Sequence, residues 1–398
     1  MKHIALITLH TPTLTNLRGA SALPYHLLAF RPKDTRVEIW SYNLNCCNSK
    51  QIEATEKDLG VKIHPIGIPK WFQFTKPAPI RLLLPRPSLS YLPLPEATTN
   101  EIKTFLSQPD SDLWIYGEDI SHIAKKFPNV KTVITTPDCE AMYYHRVLGM
   151  KGIPLSKGAM ARYMLMYHRY AKMTSKYPVR DNLQYHLVGK EDTNFLNRLN
   201  PQAKAIFIPH PHYAPTSLPH AEVTDGEKIR LLIAGAYNFT MAQAADEAFN
   251  AMGELTQDIK DRYHLTFLGK GWDKSAAQLR NIGFEVEQKG YVDDYAAEVS
   301  SHHIQLTPIA VGTGTKGKVL DAFVNGLMVI GTPLALENID AVRGSECVEY
   351  TTGRELNEWL TRLAGQPEMI NQIAKAGNEA VLQRHSREKI AKEFFDLF

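Results

Sequence analysis

Short runs of apolar and β-branched residues alternate with longer helix-forming stretches along the chain, and this alternation constrains the fold most. Parallel strands must be joined by crossover connections, usually helices, so the alternation predicts mostly parallel sheets covered by helices. In the first half the runs lie at 3–8, 36–41, 61–65, 112–116, 131–135, 184–188 and 205–209. In the second half they lie at 230–235, 264–269, 284–286, 303–306, 327–330 and 347–350. The sequence therefore predicts an α/β chain with two open, doubly wound sheets.

The domain organisation follows from the length and from one proline-rich segment. The 398 residues suffice for two or three domains. The segment 210–219 is rich in proline and lacks periodicity, and polar residues follow at 224–228, so we predict a hinge within 205–228. The predicted units are an N-terminal domain at 1–205, a second domain at 206–380, and a C-terminal helix at 381–398 that crosses back to the first domain. Two such domains facing a central cleft would bind a ligand at the carboxyl ends of their strands.

Composition excludes several classes of protein. Hydrophobic residues make up 44% and charged residues 22% of the chain, values typical of folded globular proteins. The net charge of +3 is too small to indicate a nucleic-acid partner. The four cysteines form no C-x-x-C motif and the histidines no H-E-x-x-H, which favours a reducing cytoplasm and predicts no metal site. The apolar run at the N-terminus is too short for a signal peptide or a membrane span, so we expect a cytoplasmic protein.

The segment 308–330 carries the clearest chemical signal, because it predicts a strand end, a glycine loop, a helix and a second strand. Glycines at 312 and 314 permit close approach of a ligand to the backbone, and Thr313 or Thr315 can cap the helix. The N-terminus of a helix suits a diphosphate. Lys316 and Lys318 add positive charge there, where the helix dipole disfavours cations unless an anion is bound. Asp321 lies three residues after Lys318, on the same helix face, and suits ribose hydroxyls.

Three other interpretations of this segment remain open. It can be a surface loop with a solvated Lys–Asp pair. Gly312, Gly314 and Gly317 also spell G-x-G-x-x-G, although a dinucleotide fingerprint normally follows the first strand of its domain. The run from Gly312 to Lys318 fits G-x-x-x-x-G-K, but Val319 replaces the Ser or Thr that a P-loop uses to hold magnesium.

The run Gly312-Thr313-Gly314-Thr315-Lys316-Gly317-Lys318-Val319-Leu320-Asp321-Ala322 resembles the donor-binding segment of retaining GT-B glycosyltransferases of family 4. The resemblance implies that Lys316 and Lys318 bind the donor diphosphate, with Gly314 and Thr315 beside it, and that Asp321 binds the nucleotide ribose. Many members of that family carry E-x7-E. Here Thr313 stands eight positions before Asp321, so the first glutamate of the motif is absent.

Other short pieces follow the order of the same family. The resemblance implies a donor-facing loop at Gly235 and Asn238, a base-side contact at Val292, and a phosphate-facing loop at Gly19 with Arg18 on the donor or acceptor side. It also assigns Asp138, at the end of the strand 131–135, to the catalytic position near the donor sugar. Asp138 can equally be the N-cap of the next helix. Glu118 and Asp119 end another strand with the same ambiguity.

A basic stretch from Ala141 to Arg180 contains no Asp or Glu. Helical periodicity places Met160, Met164 and several tyrosines on one face, and a cationic stripe on the other, formed by Arg162, Arg169, Lys172 and Lys176. Together with the acid-free segment 68–95, this helix predicts contact with an anionic membrane or a lipid-linked acceptor. Packing of the apolar face into the first domain, with the charges merely solvated, is the alternative.

These patterns together predict a cytoplasmic GT-B glycosyltransferase, on the inner face of the cytoplasmic membrane if the basic helix binds lipid. Its donor is a nucleotide-diphosphate sugar and its acceptor a glycan or lipid-linked molecule. From the resemblance we expect retention of anomeric configuration, no obligatory metal, and a setting in polysaccharide or glycolipid assembly. A GT-B sugar-nucleotide epimerase, or a non-catalytic sugar-nucleotide-binding subunit of a membrane-associated transferase, remains the alternative.

Overall fold

The computed structural model describes residues 1–14, 19–75, 78–150, 155–212 and 219–398. The chain divides into two compact units, 1–211 with 387–398, and 212–386. The predicted boundaries lay at 205 and 380. The first sheet, however, includes a strand at Ala205–Phe207, and the last helix of the second unit continues to Arg384.

The first unit contains, among its described residues, a seven-stranded parallel sheet in the order β3-β2-β1-β4-β5-β6-β7. Its strands are β1 (Lys2–Thr8), β2 (Thr35–Ser41), β3 (Lys62–Pro65), β4 (Ser111–Tyr116), β5 (Thr132–Thr135), β6 (Leu183–Leu187) and β7 (Ala205–Phe207). The α-helices are α1 (Gly19–Ala29), α2 (Ser49–Leu59), α3 (Ala78–Leu83), α4 (Glu96–Leu106), α5 (Glu140–Gly149), α6 (Lys157–Thr174), α7 (Lys190–Leu199) and α15 (Arg387–Phe395). Short 3₁₀ helices are η1 (Lys70–Thr75), η2 (Ser88–Tyr91) and η3 (Glu118–Lys126).

The second unit contains a six-stranded parallel sheet in the order β10-β9-β8-β11-β12-β13, counted over its described residues. Its strands are β8 (Ile229–Ala234), β9 (Tyr263–Leu268), β10 (Glu285–Lys289), β11 (Ile304–Thr307), β12 (Met328–Gly331) and β13 (Val348–Glu349). Its helices are α8 (Phe239–Met252), α9 (Gln257–Lys260), α10 (Asp273–Asn281), α11 (Tyr295–Ser300), α12 (Gly317–Val324), α13 (Gly353–Gly365) and α14 (Pro367–Arg384). Every run predicted as a strand in either half coincides with one of these strands.

Burial explains why the strands are continuous apolar runs. On β1, Ala5 and Ile7 pack into the core on one face of the sheet, whereas Ile4 and Leu6 pack into the core on the other. A sheet covered on both faces selects apolar residues at successive positions, whereas a half-exposed strand alternates. The α/β prediction with two Rossmann-like sheets is therefore confirmed.

Strand order fixes where each unit can hold a ligand. In both sheets the first strand in the sequence lies in the interior of the sheet. The next two strands are added on one side of it and the later strands on the other side, so the strand order reverses between β1 and β4 and between β8 and β11. Loops after neighbouring strands separate at such a switch point and leave a crevice at the carboxyl edge. No described helix is long and apolar enough to cross a bilayer.

The last helix completes the core of the first unit. The Phe394 ring is fully buried and its centroid lies 4.7 Å from that of Trp114 on β4 and 4.9 Å from that of His186 on β6. Phe395 and Phe398 pack into the same cluster. Helix α15, which follows the whole second unit in the sequence, thus covers one face of the first sheet.

Replacing Phe394 with Ala should therefore destabilise the first unit by about 3–5 kcal/mol, the usual effect of emptying a buried aromatic site. Chemical unfolding followed by tryptophan fluorescence measures it, and the exposed Glu393→Ala on the same helix is the control. Equal stability of the two variants would show that α15 contributes nothing to this core.

Candidate functional site

The loops after β8 and β11 meet at the switch point of the second sheet. The amides of Ala310 and Val311 donate to the carbonyl of Thr240, at 2.8 and 3.2 Å, and so join the start of α8 to the loop after β11. The glycine loop at 312–317 and helix α12 follow directly. The glycine loop is thus preceded by the fourth strand of its unit, which argues against a dinucleotide fingerprint.

Gly235 ends β8 with a φ of +103°, a conformation that side chains rarely permit. A Cβ built there would lie 3.5 Å from the Nζ of Lys318. The carbonyl oxygen of Gly235 would lie only 2.5 Å from a Cβ built at Gly269, which follows the adjacent strand β9. The two glycines therefore let the strand ends approach each other and the lysine.

Lys318 is the central cation of this site. Its Nζ lies 3.0 Å from the Sδ of Met241, and no carboxylate among the described residues lies within 4 Å of it. Burial, together with the charge of Lys316, lowers the pKa of Lys318 to about 8. The carbonyl of Lys318 accepts a hydrogen bond from Gln305 at 3.1 Å, which ties the first turn of α12 to β11.

The Lys316 side chain contacts its own loop, a role that the sequence did not predict. Lys316 occupies the N-cap position of α12 and its side chain makes no capping hydrogen bond, so the prediction that Thr313 or Thr315 is the N-cap residue is wrong. The Lys316 ammonium instead donates to the carbonyls of Thr313 and Gly314, at 3.0 and 2.8 Å, and lies 3.8 Å from the Glu337 carboxylate. Lys316 therefore fixes the shape of the glycine loop as well as adding charge.

Asp321 lies one turn after Lys318. Its Oδ1 accepts a hydrogen bond from Asn325 at 3.3 Å. Burial raises the pKa of Asp321 to about 6, although hydrogen bonds from Tyr295 and Asn325 oppose the shift. At neutral pH this carboxyl is therefore mostly ionised and can accept hydrogen bonds from hydroxyl groups.

Two other predicted donor residues have structural partners. The side chain of Asn238 caps α8 and accepts from the amide and hydroxyl of Thr240, at 2.9 and 2.6 Å. Val292 is half-buried and packs against the core of the second unit. Asn238 thus positions the loop after β8 through its cap.

In the first unit, Asp138 is half-buried and lies just beyond the carboxyl end of β5. Cys139, not Asp138, is at the N-cap position of α5, so the alternative interpretation of Asp138 as that cap is wrong. Gly19 begins α1, and Arg18 lies outside the described residues.

A buried acidic cluster beside Asp138 contains the candidates Glu118 and Asp119 together with Glu140 and Asp192, which were not predicted. Glu118 accepts a hydrogen bond from the amide of Glu140 at 3.1 Å, and Asp192 accepts one from the amide of Cys139 at 2.8 Å. Burial and the charge of Glu140 raise the pKa of Glu118, and burial raises those of Asp119 and Glu140 to about 7. Asp119 and Glu140 can therefore exchange protons near neutral pH. No described group of His, Cys, Asp and Glu has the arrangement of a metal site.

The basic helix α6 departs from its predicted faces. Arg162 and Lys172 are exposed as predicted, but only 5% of Arg169 is exposed, because its guanidinium donates to the carbonyls of Arg81 and Leu82 at 2.8 and 2.6 Å. Met164, predicted on the packing face, is 58% exposed. Arg169 therefore fastens α3 onto α6 and does not belong to the solvated stripe.

The acidic cluster predicts how stability depends on pH. Because burial raises these pKa values in the folded state, the folded chain binds more protons than the unfolded chain above about pH 4, and its stability should fall as the pH rises through 7. Glu140→Gln, which cannot ionise, should make this dependence shallower. Unfolding free energies measured at pH 5, 6, 7 and 8 test it, and an unchanged slope in the variant would contradict it.

Comparisons with known proteins identify the fold. A family model described as glycosyl transferase-like matches residues 248–396. No curated protein matches the chain in sequence. Among solved structures, sucrose-phosphate synthase from Thermosynechococcus elongatus is similar with a TM-score of 0.66 and 13% identity, over 100% of this chain and 98% of that one.

Two further structures have the same arrangement. Anabaena HepE in complex with UDP has a TM-score of 0.61 and 10% identity, over 100% of this chain and 99% of that one. WaaG, a glycosyltransferase involved in lipopolysaccharide biosynthesis, has a TM-score of 0.60 and 12% identity, over 99% of both chains. The chain therefore has the GT-B fold, and its residues 248–396 are glycosyl transferase-like.

Proposed function

We propose that the protein is a glycosyltransferase that moves a sugar from a nucleotide-diphosphate sugar to a glycan or lipid-linked acceptor. The observation that carries this proposal is the half-buried Lys318 ammonium at the switch point of the second sheet, which has no carboxylate partner among the described residues. Buried charges are normally paired, and a diphosphate would supply the missing partner. The glycosyl transferase-like match covers the same segment.

The chemistry needs stabilisation of the leaving diphosphate. Negative charge develops on it as the glycosidic bond breaks, and a fixed cation in a site of low dielectric stabilises that charge strongly. Lys318 supplies the cation, while Lys316 holds the loop whose amides face the phosphates. Asp321 binds the ribose hydroxyls. The structure of HepE with UDP favours a uridine nucleotide as the first donor to test.

The acceptor side of the proposal rests on the first unit. A cavity of about 600 Å³ has apolar walls and two exposed cations, and its lining includes Leu44, Phe72, Leu82, Leu89, Tyr144, Met166, Tyr170, Arg81 and Arg162. Leu44 follows β2, so the cavity opens at the carboxyl edge of the sheet. An acceptor with an apolar portion and an anionic group fits this lining. Asp138, at the same edge, is the residue that we assign to catalysis.

Peripheral contact with an anionic membrane is part of the same proposal. Arg169 holds α3 against α6, so Leu82 and Leu83, which are 43% and 83% exposed, lie beside the exposed cations of α6. Exposed apolar groups next to lysines and arginines suit a lipid surface. The assembly of a polysaccharide or glycolipid on the cytoplasmic side is the setting that we propose, with retention of configuration and no obligatory metal.

Nucleotide binding tests the donor site directly. Calorimetric titration with UDP, GDP, ADP, dTDP and CMP should show selective binding of one of them. Lys318→Ala should weaken that binding by about 1.5–3 kcal/mol, the range for a charged hydrogen bond, which is ~10–100-fold, and should abolish transfer. Lys316→Ala with Lys318→Ala should remove binding, whereas the exposed Lys274→Ala and Lys375→Ala are matched controls. Unchanged binding in the double variant would refute the phosphate assignment.

The lowered pKa of Lys318 adds a pH dependence. Its positive charge is lost as the pH rises through about 8, so affinity for the nucleotide should fall between pH 7 and 9. The Lys318→Ala variant, although weaker, should show no such fall. Parallel slopes for the two proteins over this range would assign the pH dependence to another group.

Sedimentation with vesicles tests the membrane contact. Arg162→Glu with Lys172→Glu should weaken binding to anionic vesicles by at least roughly 30-fold, since each lysine or arginine near such a surface contributes about 1 kcal/mol. Lys103→Glu with Lys131→Glu, exposed positions elsewhere on the first unit, is the charge-matched control. Equal loss of binding in both proteins would mean that net charge alone, and not α6, determines the contact.

A further inference from the structure

A second cavity of the first unit, of about 360 Å³, has a strongly cationic lining. It lies between the segment before η2, the helix η3 and the end of α6. Its cations are Arg86, Lys125, Arg169, Lys172 and Lys176, and Asp119 is the one acidic residue among the described residues that line it. Neither the donor site nor the acceptor cavity accounts for this lining.

The cations have no protein counterion. No carboxylate of the described chain lies within 4 Å of Arg86, Lys125, Lys172 or Lys176. The Arg86 guanidinium instead lies over the ring of Tyr91, 4.4 Å from its centroid. Burial, together with the charges of Arg86 and Lys125, lowers the pKa of His122 in the same wall. Mutual repulsion of these cations favours the entry of an anion.

Asp119 adds a hydrogen-bonding group to the same cavity. Its Oδ1 is buried and has no hydrogen-bond partner among the described residues. Burial raises the pKa of Asp119 to about 7, so below neutral pH the carboxyl is protonated and can donate to an oxyanion. A buried carboxyl oxygen without a partner, in a cavity lined by lysines, indicates a missing ligand.

The cavity extends along η3 from the carboxyl edge of the first sheet towards its amino edge. Lys125 and Lys176 lie in segments that lead into the amino ends of β5 and β6. Arg180 fastens this region by donating to the carbonyl of Ala124 at 3.2 Å and the hydroxyl of Thr132 at 2.9 Å. Asp119, however, directly follows the carboxyl end of β4, and Arg169 also lines the acceptor cavity. The site is therefore adjacent to the acceptor cavity but has a lining of its own.

We propose that this cavity is a phosphate-binding site, which holds the phosphate group of a phospholipid headgroup or of a soluble phosphate ester. A phosphate ester carries up to two negative charges and three acceptor oxygens, and so can contact several cations at once. Lysines bind phosphate as point charges, without the planar match that a carboxylate makes with arginine. The proposal is independent of the proposed transferase activity.

Titration with inorganic diphosphate tests the site in a protein whose donor site has been silenced by Lys316→Ala and Lys318→Ala. At constant ionic strength we expect diphosphate to bind this protein, and adding Lys125→Ala with Lys176→Ala to weaken binding at least 10-fold. Lys50→Ala with Lys57→Ala, exposed lysines of α2, should leave it unchanged. Absence of binding at millimolar diphosphate, or equal binding in all three proteins, would overturn the proposal. Failure of nucleotides to bind the unmodified protein would refute only the donor site.

Asp119→Asn provides a second, independent variant. Burial lowers the pKa of His122 and raises that of Tyr177, which also line the cavity. The other charged groups that line it are Arg86, Lys125, Arg169, Lys172 and Lys176. The carboxyls behind Asp119 are Glu118 and Glu140, of which Glu140 also titrates near 7. Ionisation of Asp119 should weaken diphosphate binding at pH 8. At that pH the Asp119→Asn variant should therefore bind diphosphate at least 3-fold more tightly than the protein that retains Asp119. An unchanged affinity at pH 8 would remove Asp119 from the site.

Vesicles distinguish the two sources of phosphate. The protein is mixed with phosphatidylcholine vesicles that contain phosphatidic acid. If it binds them, and if binding is lost with Lys125→Ala and Lys176→Ala and is displaced by soluble diphosphate, the occupant is a lipid headgroup. If diphosphate binding depends on the two lysines but vesicle binding does not, the occupant is a soluble phosphate ester. Pure phosphatidylcholine vesicles are the control.

Discussion

The Lys318 ammonium is half-buried and has no carboxylate within 4 Å among the described residues, and the elements at the carboxyl edge of the second sheet are arranged around its charge. Burial of an unpaired ammonium is unfavourable, so the chain must hold it firmly. Gln305 on β11 fixes the backbone of Lys318, and Val319 and Leu320, both fully buried, anchor α12 against the sheet. Gly235 leaves the space into which the side chain extends. The stability lost at this lysine is what a diphosphate can recover on binding.

The two units share a strand order but use it for opposite charges. At its switch point the second unit presents a lysine whose pKa burial lowers, whereas the first unit presents, after β4 and β5, carboxyls whose pKa values burial raises. One cause, removal from water, therefore yields a weakened base in one unit and weakened acids in the other. Both kinds of group can change protonation near neutral pH, which suits a reaction in which protons and negative charge move together.

Much of the fold could be predicted because strands buried on both faces appear in sequence as unbroken apolar runs. The glycine loop and Lys318 could also be located, because the motif that contains them spans only a few consecutive residues. Arg169 could not, because helical periodicity does not reveal that the carbonyls of Arg81 and Leu82 lie against it. The contact between Cys139 and Asp192 joins residues 53 positions apart, so the acidic cluster appears only once the strands are assembled.

The position of α15 in the sequence also constrains how the protein is made. Trp114 emerges from the ribosome early, but its packing partner Phe394 is translated after the whole second unit. During synthesis the second unit can bury its core first, whereas the core around Trp114 in the first unit lacks Phe394, Phe395 and Phe398 until α15 has been translated. The first unit is therefore completed after the second, although it is translated first.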